Sequence, residues 1–221
     1  MTTRQSSTGL IVGIAGSPRP GGNTDLAMEQ AVNAAIRLGF AFQVIQLRDF
    51  HIEPCGSCGE CNTRTSMCAQ ADDVSWIVER LLLADGIIYA APVYGFGTCH
   101  LMQMFIERAG VGYLRFTRPL RNKVGAAIVT GRRYNHLHVY NQLVLNMLLN
   151  QLIVPGSGFP CILHGGRPGK ALDDTEGMTA VEQTVTRMVE VIGALRNTSI
   201  GAQLRSDLLP TLQPRGAVYH A

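Results

Sequence analysis

Apolar and polar positions follow a two-part rhythm along the chain: a short apolar run, then a longer stretch with apolar residues at helical spacing. Leu10 to Ala15 is an apolar run ended by Gly16-Ser17-Pro18, which predicts a buried strand. After Pro20-Gly21-Gly22, the residues Leu26, Ala27, Ala31, Ala34, Ala35 and Leu38 recur at helical intervals, and Gly39 stops the helix. Ala41 to Leu47 predicts a second strand, and Val74, Ile77, Val78, Leu81 and Leu82 a second helix. Asp85 to Ala91 predicts a third strand that ends at Pro92, and Leu101 to Ala109 a third helix. Lys123 to Thr130 reads as a fourth strand and Leu137 to Gln151 as a leucine-rich helix. Leu152 to Val154 and Phe159 to Leu163 together supply a fifth strand, interrupted by Pro155-Gly156-Ser157-Gly158. Glu176 to Leu195 is a long amphipathic helix with Val181, Val185, Met188, Val189 and Ile192 on one face.

Strands that alternate with helices require right-handed crossovers and a parallel sheet covered on both faces. Five such units predict an α/β, flavodoxin-like, doubly wound five-stranded parallel sheet with an inserted cysteine-rich loop. The domain is expected over residues 1–197, with the cysteine loop at 51–69, and residues 198–221 form a C-terminal arm marked by Pro210, Pro214 and Gly216. The length of 221 residues, 46% of them hydrophobic, suits one such core.

Composition narrows the class further. The net charge of +3 is scattered without runs of like charge, so a nucleic-acid partner is not expected. No apolar stretch approaches the ~20 residues that span a bilayer, and the polar start lacks the features of a secretory signal, so no membrane partner is expected and a cytoplasmic protein is. Of six cysteines, four fall between Cys55 and Cys68. In a reducing compartment, crowding of that kind points to metal or redox chemistry rather than disulfides.

In sheets of this type, ligands bind beyond the carboxyl ends of the strands where strand order reverses. The loop after the first strand, Gly16 to Thr24, offers Ser17, Arg19, Gly22, Asn23 and Thr24 at a helix start, a setting that attracts phosphate. The same residues also suit a turn and a helix cap. The loop after the third strand carries Pro92, Val93, Tyr94, Gly95 and Phe96, and the loop after the fourth carries Thr130, Gly131 and Arg132. Arg132 and Arg133 suit a reduced flavin, a nicotinamide dinucleotide or solvent equally. His136 and His138 read as packing or surface residues.

The cysteines read C-x2-C-x2-C-x6-C: Cys55, Cys58, Cys61 and Cys68. Compact spacing lets one loop wrap a face of an iron-sulfur cubane while the fourth cysteine closes it. Tetrahedral zinc is the alternative, though four-cysteine zinc sites usually pair two separated knuckles. Cys99 and Cys161 lie outside the motif and read as buried thiols.

Ser17-Pro18-Arg19 followed by Gly22-Asn23-Thr24 resembles the FMN-phosphate loop of the NADPH-dependent FMN reductase superfamily. Pro92-Val93-Tyr94 and the helix Leu101 to Arg108 are similar to its next motif, with Gln103 where lysine is common and Glu107 where aspartate is common. The cysteine motif after the second strand resembles that of the iron-sulfur flavoproteins, a branch of that superfamily, and the similarity covers roughly Gly9 to Leu195. It implies FMN and a [4Fe-4S] cluster, with metal ligands Cys55, Cys58, Cys61 and Cys68. It also implies an oxidoreductase moving electrons between NAD(P)H or ferredoxin and an unidentified small-molecule acceptor. A homodimer or homotetramer is expected, burying the cluster loop that leaves an edge strand. The competing readings are a plain NAD(P)H-dependent FMN, quinone or nitro reductase without a cluster, and a flavin electron carrier.

Overall fold

The computed structural model describes residues 9–56, 58, 60–62, 68–112, 114–115, 117–196, 198 and 218–219. Strands β1 (Leu10–Ala15), β2 (Ala41–Gln46), β3 (Gly86–Tyr94), β4 (Gly97–Thr98), β5 (Val124–Gly131), β6 (Ile162–His164) and β7 (Val218–Tyr219) alternate with helices over most of the chain. The helices are α1 (Asn23–Arg37), α2 (Val74–Leu83), α3 (His100–Gly112), α4 (His136–Leu149) and α5 (Thr175–Arg196). The sheet order is β6-β5-β3-β1-β2-β7, with β4 paired to β3. β1, β2, β3, β5 and β6 run parallel, the doubly wound arrangement expected from the sequence.

The apolar strands are buried on both faces, and each face has its own core. Ile14, Leu81, Tyr89, Phe105 and Leu143 belong to one, beneath α2, α3 and α4. Ile11, Met28, Ala31, Phe42 and Met188 belong to the other, beneath α1 and α5. Such burial contributes about 1.5–3 kcal/mol for each large side chain. The fifth position of the sheet is split as its sequence is: Ile153 bridges to Val124, and Ile162 to His164 pair with Val129 to Gly131.

Three expectations change. β3 does not end at Pro92. It continues to Tyr94 and turns back through Gly95 and Phe96, with Val93 opposite Thr98 and Tyr94 opposite Gly97. Pro92 lacks an N–H, but it occupies the last registered pair with β5, opposite Thr130, where one missing donor no longer interrupts a ladder. β2 is not an open edge either, because Val218 and Tyr219 pair antiparallel with Gln43 and Phe42. Short helical turns at Glu60–Asn62 and Lys170–Asp173 lie where the sequence reads as loop, and one at Leu47–Asp49 takes the last residue of the expected second strand. Most of the expected C-terminal arm and part of the cysteine loop, residues 57, 59 and 63–67, lie outside the described residues. No described helix is long and apolar enough to cross a membrane.

Candidate functional site

The carboxyl ends of β1, β3, β5 and β6 converge on one cavity of ≈ 170 Å³. Ser17, Arg19, Gly22, Asn23, Thr24, Pro92, Val93, Tyr94, Thr130, Gly131 and Arg132 line it, and Gly165 to Pro168 complete it. An adjoining cavity of ≈ 450 Å³ is lined by Val93, Gly95, Phe96, Arg132, Arg133 and Tyr134. Every flavin-site residue expected from the sequence therefore lines one or the other, and Val93 and Arg132 line both.

The start of α1 shapes the inner cavity. No side chain caps the helix at Gly22, so its first backbone N–H groups and the positive end of its dipole are available to an anion. Each polar side chain beside it has a defined partner. Ser17 Oγ accepts the Arg19 N–H at 3.2 Å and shapes the turn. The Thr24 and Thr130 hydroxyls, both buried, lie 2.8 Å apart and join the loops after β1 and β5. Asn23 differs from expectation: its amide donates to Gly165 O and Arg167 O, each at 3.0 Å, while its Oδ1 accepts the Ala171 N–H at 3.2 Å. It reaches the site by tying α1 to the loop after β6. The Arg19 guanidinium lies 5.4 Å from the centre of the Tyr94 ring, a cation–π contact across the cavity.

Sequence reading missed the supports beneath this loop. Arg48 pairs with Asp25 at 2.9 Å and donates to Ser17 O at 3.3 Å, bracing the turn from below. Buried Cys99 donates to Gly16 O at 2.9 Å, and burial pushes its thiol up to about 11. That is the inert buried thiol expected. The Gly165-Gly166-Arg167-Pro168 segment was missed as well, although glycines directly after a strand were the signal used for the other loops.

On the outer cavity, Asn135 donates to Phe96 O at 2.9 Å and locks the β3–β4 turn to the loop after β5. Phe96 and Asn135 both hold left-handed backbones, with φ of 65° and 61°. Strain of this kind is commonly retained at ligand sites. His136 is buried behind Gly131, its ring 4.5 Å from that of His164. Burial lowers its pKa. The Gly131 backbone favours the charged form and His164 opposes it, and Nε2 has no hydrogen-bond partner among the described residues.

The cysteines lie beyond β2, at a separate point on the molecule. Cys55 and Cys58 are exposed, Cys61 and Cys68 half-buried, and all are free thiols. The Cys55 pKa is raised, first by burial and then by the neighbouring Cys61 and Cys58, so three of the thiols lie within electrostatic reach of one another. Cys68 packs against the core and contacts Arg108. Four soft sulfur donors on one short loop suit an iron-sulfur cluster. Among the described residues, however, no three cysteine, histidine or acidic side chains converge with metal-binding geometry.

Residues 10–164 match the family model of NADPH-dependent FMN reductases. An iron-sulfur flavoprotein of Methanocaldococcus jannaschii is 33% identical over 193 residues, covering 84% of this chain and 98% of its own. The iron-sulfur flavoprotein of Methanosarcina thermophila is 33% identical over 184 residues, covering 82% and 94%. Among solved structures, RosB with a bound 8-demethyl-8-formylriboflavin-5'-phosphate intermediate superimposes with a TM-score of 0.69 at 16% identity, covering 95% of this chain and 92% of its own. The NADH:FMN oxidoreductase EmoB does so with a TM-score of 0.59 at 17% identity, covering 87% and 92%. At such identities the structural likeness bears on the fold alone. The chain belongs to the NADPH-dependent FMN reductase family, in its iron-sulfur flavoprotein branch, and it is a flavin-dependent oxidoreductase whose flavin is FMN.

Proposed function

We propose that the protein passes electrons between NAD(P)H or ferredoxin and a small-molecule acceptor, through FMN and a [4Fe-4S] cluster on the loop from Cys55 to Cys68. The observation that carries the flavin half is the uncapped start of α1 facing Arg19, Tyr94, Thr130 and Arg132 across one cavity. In this reading Ser17, Arg19, Gly22 and the first N–H groups of α1 hold the phosphate, while Thr24 and Asn23 hold the neighbouring loops in place. Val93, Tyr94, Gly95, Phe96, Gly131 and Arg132 flank the ring in the outer cavity, where backbone dipoles and the arginine tune its electronics. Bound FMN supplies a centre that takes two electrons as hydride or one at a time, and the cluster one that passes single electrons. Four cysteines on one loop, together with relatives that are named iron-sulfur flavoproteins, support the cluster.

Anaerobic purification followed by absorption spectroscopy and iron and sulfide analysis tests both halves. Flavin bands together with a broad visible shoulder, iron and sulfide are expected. Replacing Arg19 and Thr24 together by alanine should release FMN far more than it lowers Tm, and unchanged flavin content would remove this loop from the binding site. The lack of metal-ready convergence among the described cysteines favours a second reading, an NAD(P)H-dependent FMN reductase without a cluster. Protein that turns over NAD(P)H and retains neither iron nor sulfide would establish it. Cytoplasmic placement fits either reading, since a reducing medium keeps the exposed Cys55 and Cys58 available. The reading includes assembly into a homodimer or homotetramer, supported by the exposed leucines of α4.

A further inference from the structure

The cysteine loop leaves the domain through a closed neck. At its innermost rung the His51 N–H donates to the Asp73 carboxylate at 2.8 Å, and the Asp73 N–H returns to His51 O at 3.0 Å. Next, the Glu53 N–H donates to Asp72 Oδ2 at 3.0 Å, and the Gln70 side chain to Pro54 O at 3.3 Å. Phe50 stacks on Trp76 with ring centres 5.2 Å apart at the base. Into this neck α3 inserts Arg108. Its Nη1 donates to Glu53 O and to Asp72 Oδ2, both at 2.6 Å, and its Nη2 to Asp72 Oδ1 at 3.2 Å. The two side chains are only 1% and 0% exposed. Glu53 stands two residues before Cys55 and Asp72 four after Cys68, so one guanidinium fastens both ends of the loop. Cys68 lies within its electrostatic reach, and its Nε is buried without a partner among the described residues.

A dry ion pair is an expensive way to close a neck, because apolar side chains of similar volume would do so at least as stably. What apolar side chains lack is a fork that ties the backbone on one side of the neck to a carboxylate on the other.

We propose that Arg108 is the positioning residue of the cysteine centre: acting through the loop neck, it holds the four cysteines in place for a cluster. The proposal rests on the reading that the loop binds a cluster. Its test uses the full chain, reconstituted anaerobically with iron and sulfide, in two variants. Arg108→Lys keeps the charge and loses the fork. Arg108→Gln with Asp72→Asn removes both charges, leaves no unpaired buried carboxylate and retains hydrogen-bonding groups at the neck.

FMN content reports folding, since the flavin cavity is elsewhere, and should match the wild type in both variants. In the neutral double variant we expect iron to be lost to a chelator about tenfold faster than from the wild type. Alkylation of Cys68 in the metal-free protein should accelerate several-fold. Arg108→Lys should lose iron to a chelator at a rate between those of the wild type and the double variant. Wild-type iron retention and thiol reactivity in the double variant with full FMN would overturn the role of Arg108 alone. Wild-type protein that takes up no iron would overturn the cluster reading and this inference with it. If the double variant lost FMN, Arg108→Lys would decide: iron retention equal to the wild type refutes the positioning role.

Discussion

Lys123 enters β5 with its ammonium buried, donating to Leu82 O at 2.8 Å and Ala84 O at 2.6 Å, where it closes the end of α2 over the sheet. Burial lowers its pKa to about 8, partly opposed by Asp85. Its ordinary value is 10.5, so between pH 8 and 10.5 the folded chain binds fewer protons than the unfolded one, and stability rises with pH across that window. The charged lysine thus costs the fold on the order of 3 kcal/mol at neutral pH, before the gain from its hydrogen bonds. Cys99 and Cys161 act in the opposite sense above pH 9, because their folded values near 11 and 12 keep them protonated when the unfolded thiols ionise. The lysine is therefore best read between pH 8 and 9. The Tm of the wild type should rise across that interval relative to Lys123→Met, whose unpaired carbonyls add an offset independent of pH. Parallel Tm curves would refute the assignment. Nothing in the sequence marks this lysine, because its burial depends on carbonyls about 40 positions away. Ser17, Arg19 and Thr24 were legible because they share one glycine-containing turn at a helix start, although the partners Thr130 and Tyr94 lie far along the chain.

At the scale of elements, the site is a set of loops at strand ends, and hydrogen bonds between loops set its shape. The loops after β1, β3 and β5 were legible since each follows an unbroken apolar strand and opens with glycine or polar residues. The loop after β6 was not, because that strand is split by Pro155 to Gly158 and its last piece has three residues. Yet Gly165 is where Asn23 docks. A Cβ there would lie 2.5 Å from Asn23 Nδ2 and 2.8 Å from the Ala171 backbone nitrogen, and the backbone cannot easily yield. Gly165→Ala should therefore break the tie between α1 and this loop and release FMN several-fold more readily. Circular dichroism should remain native, and unaltered flavin retention would show that the tie does not shape the site. The β3–β4 turn makes a converse prediction. Phe96 is 65% exposed and held at positive φ, a conformation asparagine tolerates better, so little burial is lost on replacement. Phe96→Asn should raise stability by up to about 1 kcal/mol in denaturant titration and weaken flavin or acceptor binding.

For the whole molecule, the doubly wound sheet was legible from strand–helix alternation, because right-handed crossovers leave few topologies open. The pairing of β7 with β2 was not, since two residues far along the chain carry no periodicity. That pairing changes the argument for assembly: an open β2 edge no longer calls for a partner. What remains is apolar surface. On α4, Leu137, Leu145, Leu148 and Leu149 are each more than half exposed, while Val139, Leu143 and Met147 on the opposite side are buried in the core. A helix apolar on both sides is uncommon on a monomer surface and suits a second copy under two-fold symmetry. Leu137 lines a cavity with Arg133 and Asn135, and Arg133 also lines the outer cavity, so a partner reaching over the start of α4 would also wall the flavin side and exclude water from it. Sedimentation of FMN-loaded protein should show a dimer or tetramer. Leu145→Lys with Leu148→Lys should yield a monomer that still binds FMN, with weaker shielding of the flavin from solvent quenchers. A wild-type protein that sediments as a monomer at every concentration tested would defeat the assembly, while an intact oligomer in the double lysine variant would move the interface away from α4.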